Sequence, residues 1–258
     1  MKDNIKLAVT GKGGVGKTTI SALLCKALSE RGYTVLAVDG DPSANLASAL
    51  GFPEDMVITP LVEMKELIEE RIGAAPGSMG GMLKLNPKVD DLPEKLWKEK
   101  DGIKLMVMGT VKKGGGGCMC PENIILKSMI QNLLLQRNEA VILDMEAGVE
   151  HLGRATAQAV DQLIVVVEPG RRSIDTAFKI KELAEDIRLN KISVIVNKVR
   201  DDADIDFVQK NCAGLSVLGY LPFDQGIVRS DMERVPPWEL SLQSLATMRE
   251  IAGKLIGS

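Results

Sequence analysis

One run of eight residues, Gly11 to Thr18, constrains this chain more than any other feature. Gly11-Lys12-Gly13-Gly14-Val15-Gly16-Lys17-Thr18 satisfies the pattern G-x-x-x-x-G-K-[ST]. The apolar stretch Ile5–Val9 precedes it, and a helical pattern over Lys17–Arg31 follows, so the segment reads as strand, loop, helix. A phosphate cradle needs that context. Glycines let successive backbone N–H groups curl around phosphate oxygens, and the helix N-terminus adds partial positive charge. The spacing predicts that Gly13, Gly14, Val15 and Gly16 wrap the phosphates and that Lys17 reaches the β- and γ-phosphates. Thr18 is placed to hold Mg²⁺, and Thr19 to contact the α-phosphate.

The same residues also spell G-x-G-x-x-G, with Asp39 near the end of the next strand, which is a dinucleotide fingerprint. A pyrophosphate calls for neither Lys12 nor Lys17, whereas Lys17-Thr18 suits a Mg-triphosphate. A nucleoside triphosphate is therefore the expected ligand. The base is read from Asn197-Lys198-Val199-Arg200, at the end of strand Ser193–Val196. Guanine readers commonly carry N-K-x-D here, and Arg200 in place of the aspartate favours ATP. Asn197 is placed either to hydrogen-bond the adenine or to cap the strand end.

Around this motif, apolar runs alternate with helical patterns. Strands are expected at Ile5–Val9, Thr34–Val38, Lys104–Met108, Ala140–Leu143, Gln162–Val167, Ser193–Val196 and Ser216–Tyr220, and helices at Lys17–Arg31, Leu61–Arg71, Glu122–Arg137, Ser173–Ile187 and Glu239–Ile256. Several strands lack polar alternation, as parallel strands buried on both faces do. The expected fold is α/β, one domain over residues 1–258, with a mostly parallel sheet flanked by helices on both faces. Aromatics are 3% of the chain, so aliphatic side chains must build the core. The segment Ile72–Lys100, rich in Gly, Pro and charge, reads as a surface excursion. In the last helix Leu240, Leu242, Leu245, Met248, Ile251, Ala252 and Leu255 form a core-packing face. A formal charge of −3 disfavours non-specific nucleic-acid binding. No apolar run approaches a membrane span and the N-terminus has no signal-peptide pattern, so a cytoplasmic protein without membrane attachment is expected.

Lys12 is surplus to a general phosphate loop. Lys12-Gly13-Gly14-Val15-Gly16-Lys17-Thr18-Thr19 resembles the deviant Walker A segment of the MinD/nitrogenase-iron-protein class of ATPases. The resemblance implies a homodimer in which Lys12 crosses a two-fold interface onto the partner's nucleotide and neutralises charge during phosphoryl transfer. Asp39-Gly40-Asp41-Pro42-Ser43-Ala44-Asn45-Leu46 is similar to the first switch of that class. It implies that Asp41 orients the attacking water, that Asp39 sits near Mg²⁺ and that Asn45 serves the switch or interface. Ile142-Leu143-Asp144-Met145-Glu146-Ala147-Gly148 resembles the second switch. There Asp144 would reach Mg²⁺ through water, and Gly148 would allow the backbone to rearrange. Leu221-Pro222-Phe223-Asp224 resembles the loop on the adenine side, which makes Leu221 and Pro222 base contacts.

The chain has four cysteines. Cys118 and Cys120 follow four glycines, Gly114 to Gly117, and precede Pro121, which suits the first turn of a helix. Thiols just before a helix N-terminus favour the thiolate form. Two thiolates leave a tetrahedral site half complete, and a two-fold dimer supplies four. Square-planar Ni²⁺ and tetrahedral Zn²⁺ both suit such a set. Cys25 and Cys212 are spaced unlike ligands and read as core thiols.

The deviant loop, the Cys118-x-Cys120 pair and the stretch Asp144-Met145-Glu146-Ala147-Gly148-Val149-Glu150-His151-Leu152-Gly153-Arg154 together resemble the CooC-type nickel-insertion ATPases, and almost as closely the AcsF-type maturation factors. The resemblance implies an ATP-hydrolysing dimer that delivers nickel to apo carbon monoxide dehydrogenase or acetyl-CoA synthase. Two other readings share the loop. An iron–sulfur electron donor like nitrogenase iron protein uses cysteines far apart in sequence, unlike this pair. A spatial regulator like MinD needs a membrane-binding tail. His151, the only histidine, stays outside the metal set.

Overall fold

The computed structural model describes residues 4–41, 44–73, 84, 96–109, 124–125, 138–145 and 160–257. Eight strands form one sheet: β1 Ile5–Gly11, β2 Thr34–Gly40, β3 Lys98–Lys100, β4 Ile103–Val107, β5 Glu139–Met145, β6 Gln162–Val167, β7 Ile192–Val199 and β8 Ser216–Pro222. Their order is β3-β4-β2-β5-β1-β6-β7-β8, parallel throughout except for the edge strand β3. The described helices are α1 Lys17–Glu30, α2 Leu46–Ala49, α3 Lys65–Ile72, α4 Arg171–Asp186, α5 Asp202–Asn211, α6 Gln225–Glu233, α7 Pro237–Leu240 and α8 Leu242–Ile256.

The unbroken apolar runs of the strands serve two cores. Successive side chains of a strand point to opposite faces. In β1, Leu7 and Val9 enter one cluster and Ala8 the other; in β5, Ala140 and Ile142 part in the same way from Val141 and Leu143. α1 and α8 cover one face through Ile20, Leu23, Leu24, Leu245, Met248 and Ile251. α4 covers the other through Ile174, Ala177, Ile180 and Ala184, spaced three and four apart as one helical stripe requires. Each such large aliphatic side chain contributes roughly 1.5–3 kcal/mol on full burial. Cys25 and Cys212 are buried thiols, and burial pushes both up in pKa, with the Asp144 charge adding to the effect at Cys25.

Four features depart from the expectation. Of the segment read as a surface excursion, Ile72 ends α3 and is buried, and Leu96 is buried too. β3 then turns into β4 through Asp101 (φ 51°) and Gly102 (φ 76°), an Asp-Gly hairpin turn, and its run Lys98-Glu99-Lys100 charges the sheet edge. α5 starts where the Asp201 carboxylate accepts from the Asp204 N–H, a cap that the sequence reading missed. The C-terminal helix does not begin at Glu239. Ser241 ends α7 and caps α8 by accepting from the Ser244 N–H, which leaves Leu242 73% exposed rather than packed. Of the helix expected at Glu122–Arg137, only Ile124 and Ile125 are described, both buried. α8 lies so close to β8 that a Cβ on Gly219 would stand 2.8 Å from Ile251. Among the described residues no helix is long and apolar enough to cross a membrane.

Candidate functional site

β1 lies between β5 and β6; the chain runs from β1 to one side of the sheet and from β6 to the other. The carboxyl ends of strands at such a reversal open a crevice. The loop from Lys12 to Gly16 lies there, between β1 and α1.

The geometry of the loop follows from where its carbonyls go. The Gly14 carbonyl accepts from Lys198 Nζ (2.6 Å), the Val15 carbonyl from Asn197 Nδ2 (2.8 Å) and the Gly16 carbonyl from the Ile20 N–H (3.0 Å). In a planar trans peptide the next N–H points the opposite way. Holding the Val15 and Gly16 oxygens outward therefore turns the Gly16 and Lys17 N–H groups into the crevice. Gly16 caps α1 in the left-handed region (φ 93°), with no side-chain cap. A Cβ there would sit 2.4 Å from Asn197 Nδ2, so the position requires glycine on two counts. Lys17 is buried against this turn, while Gly13 and Gly14 are exposed.

Two carboxylates line the floor. Asp39 ends in register with Asp144 across β2 and β5, and both are buried. Asp39 accepts from the Leu46 N–H (2.9 Å) and the Asp41 N–H (3.1 Å), so it tethers the start of α2. Asp144 Oδ1 accepts from Ser21 Oγ (3.0 Å), and Oδ2 is buried without a hydrogen-bond partner among the described residues. Burial pushes Asp39 up to about 7, with repulsion from Asp144 and Asp41 adding to it against the two backbone N–H donors. Burial likewise raises Asp144 to about 6, against the Thr18 and Ser21 hydroxyls and the Lys17 charge. An orphaned anionic oxygen beside a threonine hydroxyl is a suitable outer-sphere acceptor for a hydrated Mg²⁺, which keeps several waters. The residues present thus fit the cation.

Above the floor is a cleft of about 890 Å³. Gly14, Gly16, Lys17, Thr18, Thr19 and Asp41 form one wall, and Asn45 with α6 and its C-terminal turn form the others. Glu54 and Arg234 meet as an ion pair at this rim. α6 is held by Asp224, whose carboxylate accepts from the Gly226 N–H (2.7 Å) and from the Ser241 and Ser244 hydroxyls.

The structure thus gathers Gly14, Gly16, Lys17, Thr18, Thr19, Asp39, Asp41 and Asp144 around one crevice. Lys12 is half-buried at the start of the loop. Asn197 is buried and donates from Nδ2 to the Val15 carbonyl, so it braces the loop. The Leu221 side chain is wholly buried in the α1/α8 core, and Pro222 sits at the strand end opposite Val199. Cys118, Cys120, Gly148 and His151 lie outside the described residues. Ser21, Glu168 and Lys198 went unrecognised in the sequence. For Ser21 there was a signal: it is a hydroxyl one turn after Lys17 on an otherwise apolar helix face.

Strand, phosphate loop, lysine–threonine pair and paired acids define a P-loop ATPase. The chain belongs to the CobQ/CobB/MinD/ParA nucleotide-binding family, whose model matches residues 6–237. It is 44% identical over 239 residues to the carbon monoxide dehydrogenase accessory protein CooC of Rhodospirillum rubrum, covering 92% of this chain and 90% of that one. An uncharacterized ATP-binding protein of Methanocaldococcus jannaschii is 45% identical over 229 residues, 88% of each chain. Among solved structures, the fold is similar to the MinD cell division protein of Aquifex aeolicus (TM-score 0.71, 22% identity, 98% of this chain and 97% of that one). It is also similar to the septum site-determining protein MinD complexed with Mg-ADP from Pyrococcus horikoshii (TM-score 0.66, 21% identity, 98% and 96%).

Proposed function

We propose that this ATPase is a metallochaperone: a homodimer that uses ATP binding and hydrolysis to load nickel into carbon monoxide dehydrogenase or acetyl-CoA synthase. The observation that carries the reading is the 44% identity to a carbon monoxide dehydrogenase accessory protein over 92% of the chain. The Cys118-x-Cys120 pair supports it independently, because two copies would bring four thiolates to one ion. In this reading the Gly13–Gly16 backbone and Lys17 hold the phosphates, and Thr19 meets the α-phosphate. Thr18 and, through water, Asp144 hold Mg²⁺, which when bound neutralises charge on the β- and γ-phosphates. Asp41 orients the attacking water. Lys12 completes the partner's site, so triphosphate favours the closed pair. Pro222 and the α6 wall flank the base. Closure reshapes the cysteine site, and reopening after hydrolysis releases the Ni²⁺ or Zn²⁺ cargo.

The test is metal titration into wild type and a Cys118→Ala/Cys120→Ala double variant, with oligomeric state followed by light scattering, with and without ATP. Wild type should take up one ion per pair of chains and the variant none. Equal stoichiometry in the two proteins overturns the metal site. Anaerobic purification of a brown protein with iron–sulfur absorption would favour an electron donor instead.

A further inference from the structure

β7 and β8 fall out of step twice. Val194 pairs with Val217 but Ile195 with Gly219; further on, Val196 pairs with Tyr220 and Val199 with Pro222. In the second irregularity two residues of β7, Asn197 and Lys198, stand against the single residue Leu221 of β8. This is a bulge, uncommon between parallel strands, and bulges re-aim side chains next to active sites. Lys198 takes the left-handed conformation (φ 60°), rare for a residue with a side chain. Neighbouring residues of a regular strand point to opposite faces. Here both side chains reach the phosphate loop, Asn197 at the Val15 carbonyl and Lys198 at the Gly14 carbonyl. The Lys198 ammonium also pairs with Glu168 Oε2 at 3.4 Å. The Glu168 N–H in turn donates to Ser173 Oγ (3.1 Å), which ties it to the first turn of α4.

We infer that Lys198, held by Glu168, is a positioning residue of the ATPase: it grips the Gly14 carbonyl from behind and so sets the phosphate-facing side of the loop. With Gly14 O fixed outward, the peptide between Gly14 and Val15 cannot turn its oxygen toward the phosphates. An oxygen so turned would place a partial negative charge against the anionic ligand. A glycine-rich loop has little conformational preference of its own, so the two side chains of the bulge impose the order. The inference rests on the ATP-binding reading of the loop but not on the metal cargo. It also sets Lys198 apart from a base-reading lysine, since its amine is directed at the loop backbone.

The test compares Mg-ATP with inorganic Mg-tripolyphosphate, which has the phosphates but no base, as ligands of wild type, Lys198→Met, Lys198→Arg and Glu168→Gln. Lys198→Met should weaken both ligands by a similar factor, about tenfold for one charge-assisted hydrogen bond. KM for ATP should rise far more than kcat falls, and the unfolding midpoint of the nucleotide-free protein should stay within about 2 °C. Lys198→Arg should recover part of the affinity, and Glu168→Gln should lose several-fold on both ligands. Unchanged affinities overturn the inference. So does a loss on ATP alone, which would make Lys198 a base contact, or a drop in unfolding midpoint matching the loss of affinity. If Lys198→Met does not fold, Glu168→Gln decides by the same criteria. Failure of wild type to bind either ligand would overturn the nucleotide site itself, a separate result.

Discussion

Asp39 and Asp144 occupy matched positions on adjacent parallel strands, so two buried carboxylates share the end of the crevice where the phosphate loop begins. Asp39 uses both oxygens to hold backbone N–H groups, whereas Asp144 keeps one oxygen without a hydrogen-bond partner among the described residues. The first acid shapes the segment that leads into α2; the second is the one with a coordination site to offer. Two buried like charges on adjacent strands suit neither acid until a cation arrives.

That arrangement makes the nucleotide-free protein sensitive to pH. Both carboxyls titrate above the ordinary range of about 4, Asp39 at about 7 and Asp144 at about 6. Between about pH 4 and pH 7 the folded chain therefore binds more protons than the unfolded chain, and stability falls as pH rises through that window. The slope approaches about 1.4 kcal/mol per pH unit for each carboxyl. Thermal unfolding without nucleotide should show the midpoint decreasing from pH 5 to pH 7.5. Mg²⁺-dependent nucleotide affinity should rise over the same interval, because the cation selects the ionised acids.

Asp144→Asn should separate stability from activity. The amide keeps an oxygen for Ser21 and removes the buried charge. The nucleotide-free protein should gain roughly 1–3 kcal/mol at neutral pH, a raised acid returned to neutrality. ATP hydrolysis should fall by two orders of magnitude or more, since Mg²⁺ loses its anionic anchor. Denaturant unfolding and a phosphate-release assay on the same preparation check both halves.

Gly16→Ala places a methyl group where Asn197 Nδ2 stands and forces an alanine into the left-handed region. The strain is on the order of 1–3 kcal/mol before any repacking. Because relief would displace Asn197 from the Val15 carbonyl, nucleotide affinity should drop more than tenfold. Calorimetric titration with ATP measures it.

Lys17→Ala should abolish nucleotide binding. Lys12→Ala should leave binding of ATP to the single chain intact while removing turnover that depends on pairing. In wild type, specific activity should climb with protein concentration; in Lys12→Ala it should stay flat and low. Normal hydrolysis by the variant would eliminate the cross-dimer role.

The local rules carried most of the architecture. The glycine–lysine–threonine spacing of residues 11–18 announces a phosphate loop, because only a backbone that bends tightly between a strand and a helix can present several N–H groups to one anion. Apolar runs such as Gln162–Val167 announce buried parallel strands, because a chain segment covered on both faces has no use for polar side chains. Asp39 and Asp144 were marked by the resemblance of their segments to the two switches, and both stand at the crevice ends of adjacent parallel strands. What lay beyond reach were features that depend on where distant segments meet. Nothing near Leu221 foretells that its side chain faces the core, since that follows from the register of β8 against β7. Nothing near Lys198 foretells that its amine holds Gly14, 184 positions earlier. That contact exists because a bulge, set by the pairing of β7 with β8, turns two neighbouring side chains the same way. Periodicity and spacing report the preferences of a segment; which atoms finally touch is decided by strand order and register, and those are properties of the assembled sheet.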